Sequence, residues 1–96
     1  MITLAQLRAR RDELIAVAAR CGVRNLRVFG SVARGGATPG SDVDFLVDVE
    51  PGTSLLELGE FYLDLKEMLG THVDVVTDGG LNPRLRDRIL AEAVPL

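Results

Sequence analysis

Val28-Phe-Gly-Ser-Val-Ala-Arg-Gly-Gly-Ala-Thr-Pro-Gly-Ser-Asp-Val-Asp-Phe-Leu-Val47 decides the fold of this chain. Leu26, Val28 and Phe29 form a short apolar run that ends at Gly30-Ser31. A polar, glycine-rich loop follows. A second apolar run then opens on Asp42-Val43-Asp44, with ten residues between Ser31 and Asp42. In a β-strand, residues two apart point to the same face, roughly 6–7 Å from one another. Asp42 and Asp44 therefore present two negative charges side by side. Such a pair is unfavourable unless one carboxyl is protonated or a cation lies between them. A hard divalent ion that prefers oxygen ligands, magnesium above all, resolves the repulsion.

Working outward, the rest of the chain supplies alternating elements. Thr3 and Gln6 have capping-box spacing, and Leu4, Leu7, Leu14, Ile15 and Ala18 recur at helical intervals. These predict one helix over residues 4–20, stopped near Gly22. Residues 25–29 read as a strand. Ser31 reads as the N-cap of a short helix running to about Gly35. Thr38-Pro39-Gly40-Ser41 is a loop, and residues 43–49 read as a second strand closed by Pro51-Gly52. Ser54 and Glu57 repeat the capping box. Leu55, Leu58, Tyr62, Leu65 and Leu69 then define the clearest amphipathic helix, stopped by Gly70. His72-Val73-Asp74-Val75-Val76 reads as a third strand. Asn82 and Pro83 start a last helix that runs to about Ala93.

The expected order is α-β-α-β-α-β-α: an α/β fold (α+β in some schemes) with a small mixed three-stranded sheet flanked by helices. A full helix joins the second and third strands, so these two should run parallel. Parallel pairing brings their N-terminal ends together and sets Asp74 beside Asp42 and Asp44. The Gly30-Ser31 loop joins the first two strands closely, so it should lie at the same edge. Backbone N–H groups at a helix start attract anions, and Gly30 lets a phosphate approach the backbone.

Ninety-six residues fit one domain, expected to span 1–96, with one modest core. The 47% apolar content is that of a globular protein. A net charge of −3 gives no reason to expect direct nucleic-acid binding, which needs clustered positive charge. The lone Cys21 cannot form an internal disulfide, which fits a reducing cytoplasm. No apolar stretch has the length of a membrane span, and the N-terminus lacks a signal-peptide layout. The expectation is a soluble, cytoplasmic protein. Taken singly, the remaining residues read blandly. His72 and Asp48 are expected to be solvated, as are Arg84, Arg86 and Arg88. Tyr62 fits its helix's apolar stripe, and Cys21 fits a small apolar filler.

The Gly-Ser turn with its spaced Asp-x-Asp resembles the nucleotidyltransferase superfamily that includes DNA polymerase beta. The size resembles its minimal, MNT-type members. The resemblance implies a polymerase-beta-like fold and a metal-dependent transfer from a nucleoside triphosphate. Carried over, it makes Asp42, Asp44 and Asp74 the catalytic carboxylates and ligands of two magnesium ions, manganese being an alternative. Gly30 and Ser31 become phosphate ligands, with ATP as substrate. Arg34-Gly35 also matches a frequent family pattern and makes Arg34 a further phosphate contact. Where many minimal members carry a second arginine, this chain has Val32.

Minimal members commonly pair with a small helical HEPN-domain toxin, a ribonuclease, and act as antitoxin by moving AMP onto a tyrosine hydroxyl of that toxin. The resemblance thus implies a protein adenylyltransferase in a toxin–antitoxin system, working as a homo- or hetero-oligomer. Two alternatives stay open. One is transfer to a small-molecule hydroxyl, such as that of an aminoglycoside. The other is an antitoxin that neutralises by binding alone. A set of carboxylates that repel one another argues against the second, since a pure binder has no use for it.

Overall fold

A computed structural model describes all residues, 1–96. Its elements are α1 (Leu4–Ala9), α2 (Arg11–Arg20), β1 (Val23–Phe29), α3 (Gly30–Ala33), β2 (Val43–Val49), α4 (Leu55–Leu69), β3 (Val73–Thr77), α5 (Pro83–Glu92) and β4 (Val94–Pro95). A single 3₁₀ turn, Asp78–Gly80, follows β3. The sheet order is β3-β2-β1-β4. β1 runs antiparallel to both β2 and β4, and β2 runs parallel to β3. The α/β layout and the parallel β2–α4–β3 unit are those the sequence implies.

The helix expected over 4–20 is two helices. The apolar stripe lapses across Arg8-Ala-Arg-Arg-Asp-Glu13, and the chain bends at Arg10, which ends α1 and starts α2. The bend lets Leu7 and Leu14 both bury completely. Arg10 holds it by donating to the Met68 carbonyl at 2.7 Å and pairing with Glu13 at 3.1 Å. The capping boxes at Thr3/Gln6 and Ser54/Glu57 form as the spacing predicts. α4 ends at Gly70 in the left-handed conformation, and Asn82 caps α5 with Pro83 at its first position.

A fourth strand corrects the expected three. Val94 and Pro95 pair with Val28 and Arg27, and the Leu96 amide donates to the Leu26 carbonyl at 3.2 Å. Two residues are too few for an alternation to register. Proline, which lacks an N–H, is tolerated on this outer edge. β1 also starts earlier than expected, at Val23, and carries a bulge between Arg24 and Arg27. Asn25, at φ 52°, takes up the extra residue. β3 is displaced by one position, to 73–77.

Alternation along β2 separates packing from chemistry. Val43, Phe45 and Val47 are buried in the core with Leu7, Leu14, Phe61 and Leu65 of the helices. Asp44 therefore points to the opposite face of the sheet. Complete burial of Phe45 and Phe61 contributes about 1.5–3 kcal/mol each and pins the register of β2. A one-residue slip would carry Asp44 into the core.

Candidate active site

Three strand ends meet at one edge of the sheet. Asp44 lies in register with Phe29 of β1 on one side and with Asp74 of β3 on the other. Parallel partners project to the same face at the strand spacing of about 4.8 Å, so the Asp44 and Asp74 carboxylates are neighbours. Asp42 precedes β2 at the same end. Asp42 and Asp74 are exposed, whereas Asp44 is half-buried. The Val43 amide donates to the His72 carbonyl at 3.1 Å and fastens the two strand starts.

Electrostatics single out Asp44. Its pKa is raised from 3.8 to about 6. Burial is the first cause, followed by the charges of Asp74 and Asp42, with Arg34 opposing and Glu92 adding to the rise. Asp44 thus feels both of the other predicted carboxylates.

The Gly30-Ser31 turn stands directly against Asp44. Gly30 is buried at φ +74°, and a β-carbon there would overlap Asp44 Oδ2. Only glycine combines that backbone conformation with so close an approach. The helix that follows starts at Gly30 rather than after Ser31, and Phe29 is its N-cap residue. Ser31 is therefore not the cap. It lies at the second helical position, half-buried, and no side chain caps this helix.

Glu92, the last residue of α5, is the site residue that sequence reasoning missed. Its Oε1 accepts the Gly30 N–H at 3.0 Å, and its Oε2 accepts from Arg34 Nη1 at 3.0 Å. Arg34, expected to be free for phosphate, is held in an ion pair. No spacing rule connects Glu92 to a turn 62 residues away. The only signal was a carboxylate at the end of the last helix, where the helix dipole does not favour one.

The other bland expectations resolve individually. His72, Arg84 and Arg88 are exposed, Tyr62 is half-buried against the core, and Cys21 is a buried core member whose thiol pKa is raised by burial. Asp48 is not simply solvated: it pairs with Arg27 at 3.0 Å and accepts from Asn25 at 2.9 Å. Arg86 pairs with Asp78 at 2.9 Å.

As they stand, no three His, Cys, Asp or Glu side chains converge tightly enough to form a metal centre. The donor set nonetheless fits a hard divalent cation. It is all oxygen, and a cation relieves the repulsion that raises Asp44. Asp42 and Asp74, being exposed, can turn toward it.

The Gly-Ser turn abuts one aspartate, a second aspartate lies across a parallel strand pair, and the fold that carries them is that of a nucleotidyltransferase. Residues 11–96 match the family model of the nucleotidyltransferase domain, and the chain belongs to that family. It is similar to a candidate protein adenylyltransferase of Methanocaldococcus jannaschii, MJ0435, at 43% identity over 82 residues, covering 85% of this chain and 88% of that one. It is also similar to protein adenylyltransferase MntA of Thermococcus cleftensis, at 44% identity over 75 residues, covering 78% and 76%. A solved structure described as a candidate minimal nucleotidyltransferase superposes with a TM-score of 0.87 at 48% identity, covering 99% of this chain and 97% of that one. A toxin–antitoxin complex crystallised with AMP-PNP shares the fold, with a TM-score of 0.68 at 21% identity over 88% of this chain and 70% of that one. No helix is long and apolar enough to cross a membrane.

Proposed function

We propose that residues 1–96 act as one nucleotidyltransferase domain that moves AMP from ATP to a hydroxyl of a partner protein. In this reading the partner is a HEPN-domain toxin, the hydroxyl is a tyrosine's, and the chain is the antitoxin. The observation that carries the reading is the placement of Asp44 directly beside Asp74 and against the Gly30-Ser31 turn. Similarity to chains named protein adenylyltransferases supports the reaction type. The antitoxin role draws on the shared fold of the toxin–antitoxin complex.

Each residue then has a distinct task. Asp42, Asp44 and Asp74 would hold magnesium, or manganese. When bound, the metal neutralises phosphate charge and makes the leaving group better. Gly30, lacking a side chain, admits the triphosphate close to the backbone. Ser31 donates its hydroxyl to a phosphate oxygen, and Arg34 adds positive charge beside it. The acceptor oxygen forms a bond to the α-phosphorus as the bond from that phosphorus to the bridging oxygen breaks. Pyrophosphate departs, and the hydroxyl proton passes to Asp74. In-line attack requires the acceptor oxygen about 3–3.5 Å from phosphorus.

The test mixes this protein, ATP, magnesium and the product of the adjacent gene, tested as the proposed toxin, and reads intact mass. The expected result is a toxin heavier by one or more AMP groups, with no addition by Asp74→Asn. A toxin that is silenced at unchanged mass would mean neutralisation by binding.

A further inference from the structure

Glu92 touches the two ends of α3 with one carboxylate: the Gly30 amide through Oε1 and the Arg34 guanidinium through Oε2. Its side chain is 21% exposed, against 53% for Arg34. Both hydrogen bonds are charge-assisted, the stronger kind. They hold a fourth carboxylate at an edge that already gathers three, and Glu92 is among the charges that oppose ionisation of Asp44. A merely neutral arrangement would put no carboxylate there.

The surroundings show why it is held. No residue of α5 is fully buried, so apolar packing does little to place this helix. Polar ties do so instead. Arg86 grips Asp78 near its start, Glu92 grips α3 at its end, and β4 zips onto β1 immediately afterwards. β4 also fixes the direction of approach. It lies outside β1, on the flank away from β2 and β3. The turn is thus held between Glu92, at the end of the helix that leads into β4, and Asp44 of β2, which stands against Gly30. Two residues before the backbone is sheet-bonded at Val94, Glu92 has little room to retreat.

We propose that Glu92 is a positioning residue for the triphosphate: it presets the Gly30-Ser31 turn and Arg34, and leaves Ser31, not the Gly30 amide, to meet the phosphate. The inference rests on the nucleotidyltransferase reading above and deepens it. Glycine loses more backbone freedom on ordering than any other residue. A turn already ordered by Glu92 spares the incoming phosphate that cost. The Gly30 N–H, expected from sequence to be among the anion donors, is committed to Glu92.

Wild type, Glu92→Ala, Glu92→Gln, Arg34→Ala and the double variant Glu92→Ala/Arg34→Ala are titrated with AMP-PNP and magnesium. Glu92→Ala is expected to bind about tenfold more weakly, the scale of one lost charge-assisted hydrogen bond. Glu92→Gln retains an acceptor for the Gly30 N–H and is expected to recover part of the loss. In the Arg34→Ala background the Glu92→Ala effect should shrink, because part of it runs through Arg34. A purely structural residue would show neither the rescue nor the coupling. Binding by Glu92→Ala that equals or exceeds wild type overturns the proposal and makes Glu92 a bystander or a competitor of phosphate.

Amide hydrogen exchange at Gly30 without nucleotide is the second measurement. Relative to wild type it is expected to be at least tenfold faster in Glu92→Ala and accelerated by an intermediate factor in Glu92→Gln, with neighbouring core amides unchanged; unchanged exchange at Gly30 overturns the brace. Failure of wild type to bind any triphosphate with magnesium would instead defeat the nucleotidyltransferase reading, while the exchange result still decides whether Glu92 orders the turn.

Discussion

Gly30 and Asp44 stand so close that a β-carbon on the first would overlap the carboxylate of the second. Gly30→Ala also forces alanine to φ +74°. Both effects act against the folded turn, at a cost of about 1–3 kcal/mol for the backbone alone. The variant should melt several degrees lower and bind magnesium-ATP at least tenfold more weakly. Thermal melting and titration calorimetry check the two effects separately. A variant as stable as wild type would mean the turn relaxes freely around the new side chain.

Asp44→Asn keeps the shape of the side chain and removes its charge. In metal-free solution the variant should be at least as stable as wild type, because burial and the charges of Asp74 and Asp42 all disfavour the ionised form. Transfer should fall by about two to three orders of magnitude, since an oxygen ligand to the metal is lost. Asp42→Asn should lower transfer similarly. A large loss of stability in Asp44→Asn would mark the carboxylate as structural.

The raised pKa of Asp44 gives a pH signature with a definite sign. In the folded protein the carboxyl binds its proton near pH 6, and in the unfolded chain near 3.8. Between those values the native state holds more protons than the unfolded state, so this group's contribution to stability grows as pH falls from about 7 through 6 toward 4. At higher pH the contribution is lost. Metal-free wild type and Asp44→Asn, melted across that range, should differ by a component that favours wild type increasingly at the acidic end. Parallel curves would mean Asp44 titrates normally.

How much of this was legible in the sequence follows from the range of each signal. Strand alternation and the crossover helix are local, so Asp42, Asp44 and Asp74 could be brought to one edge from spacing alone. The bend at Arg10 was visible only as a lapse in the apolar stripe, and the broader helical period concealed it. β4 is two residues long and contains proline, and it exists because β1 offers it an edge. Glu92 was hidden for the same reason. Its role depends on where β4 anchors the end of α5, a tertiary fact that no short-range pattern carries. Ser31 shows the converse: it is a good N-cap residue by type, but the helix already begins at Gly30, with Phe29 in the N-cap position.

Metal and nucleotide should depend on one another. ATP is polyanionic, and the proposed phosphate turn lies beside Asp44, Asp42 and Asp74, with Glu92 on its other flank. Arg34 is the positive charge at this edge, and Glu92 already pairs with it. Without a divalent cation the triphosphate meets net repulsion. With magnesium or manganese the carboxylates and the phosphates share the cation. Calorimetric titration of ATP should therefore show binding at least tenfold tighter with magnesium than in chelator. The dependence should survive in Arg34→Ala, though at lower affinity, because the carboxylates and not the arginine create it. Equal affinity with and without metal would defeat the assignment of Asp42, Asp44 and Asp74 as metal ligands, whatever the chain's acceptor proves to be.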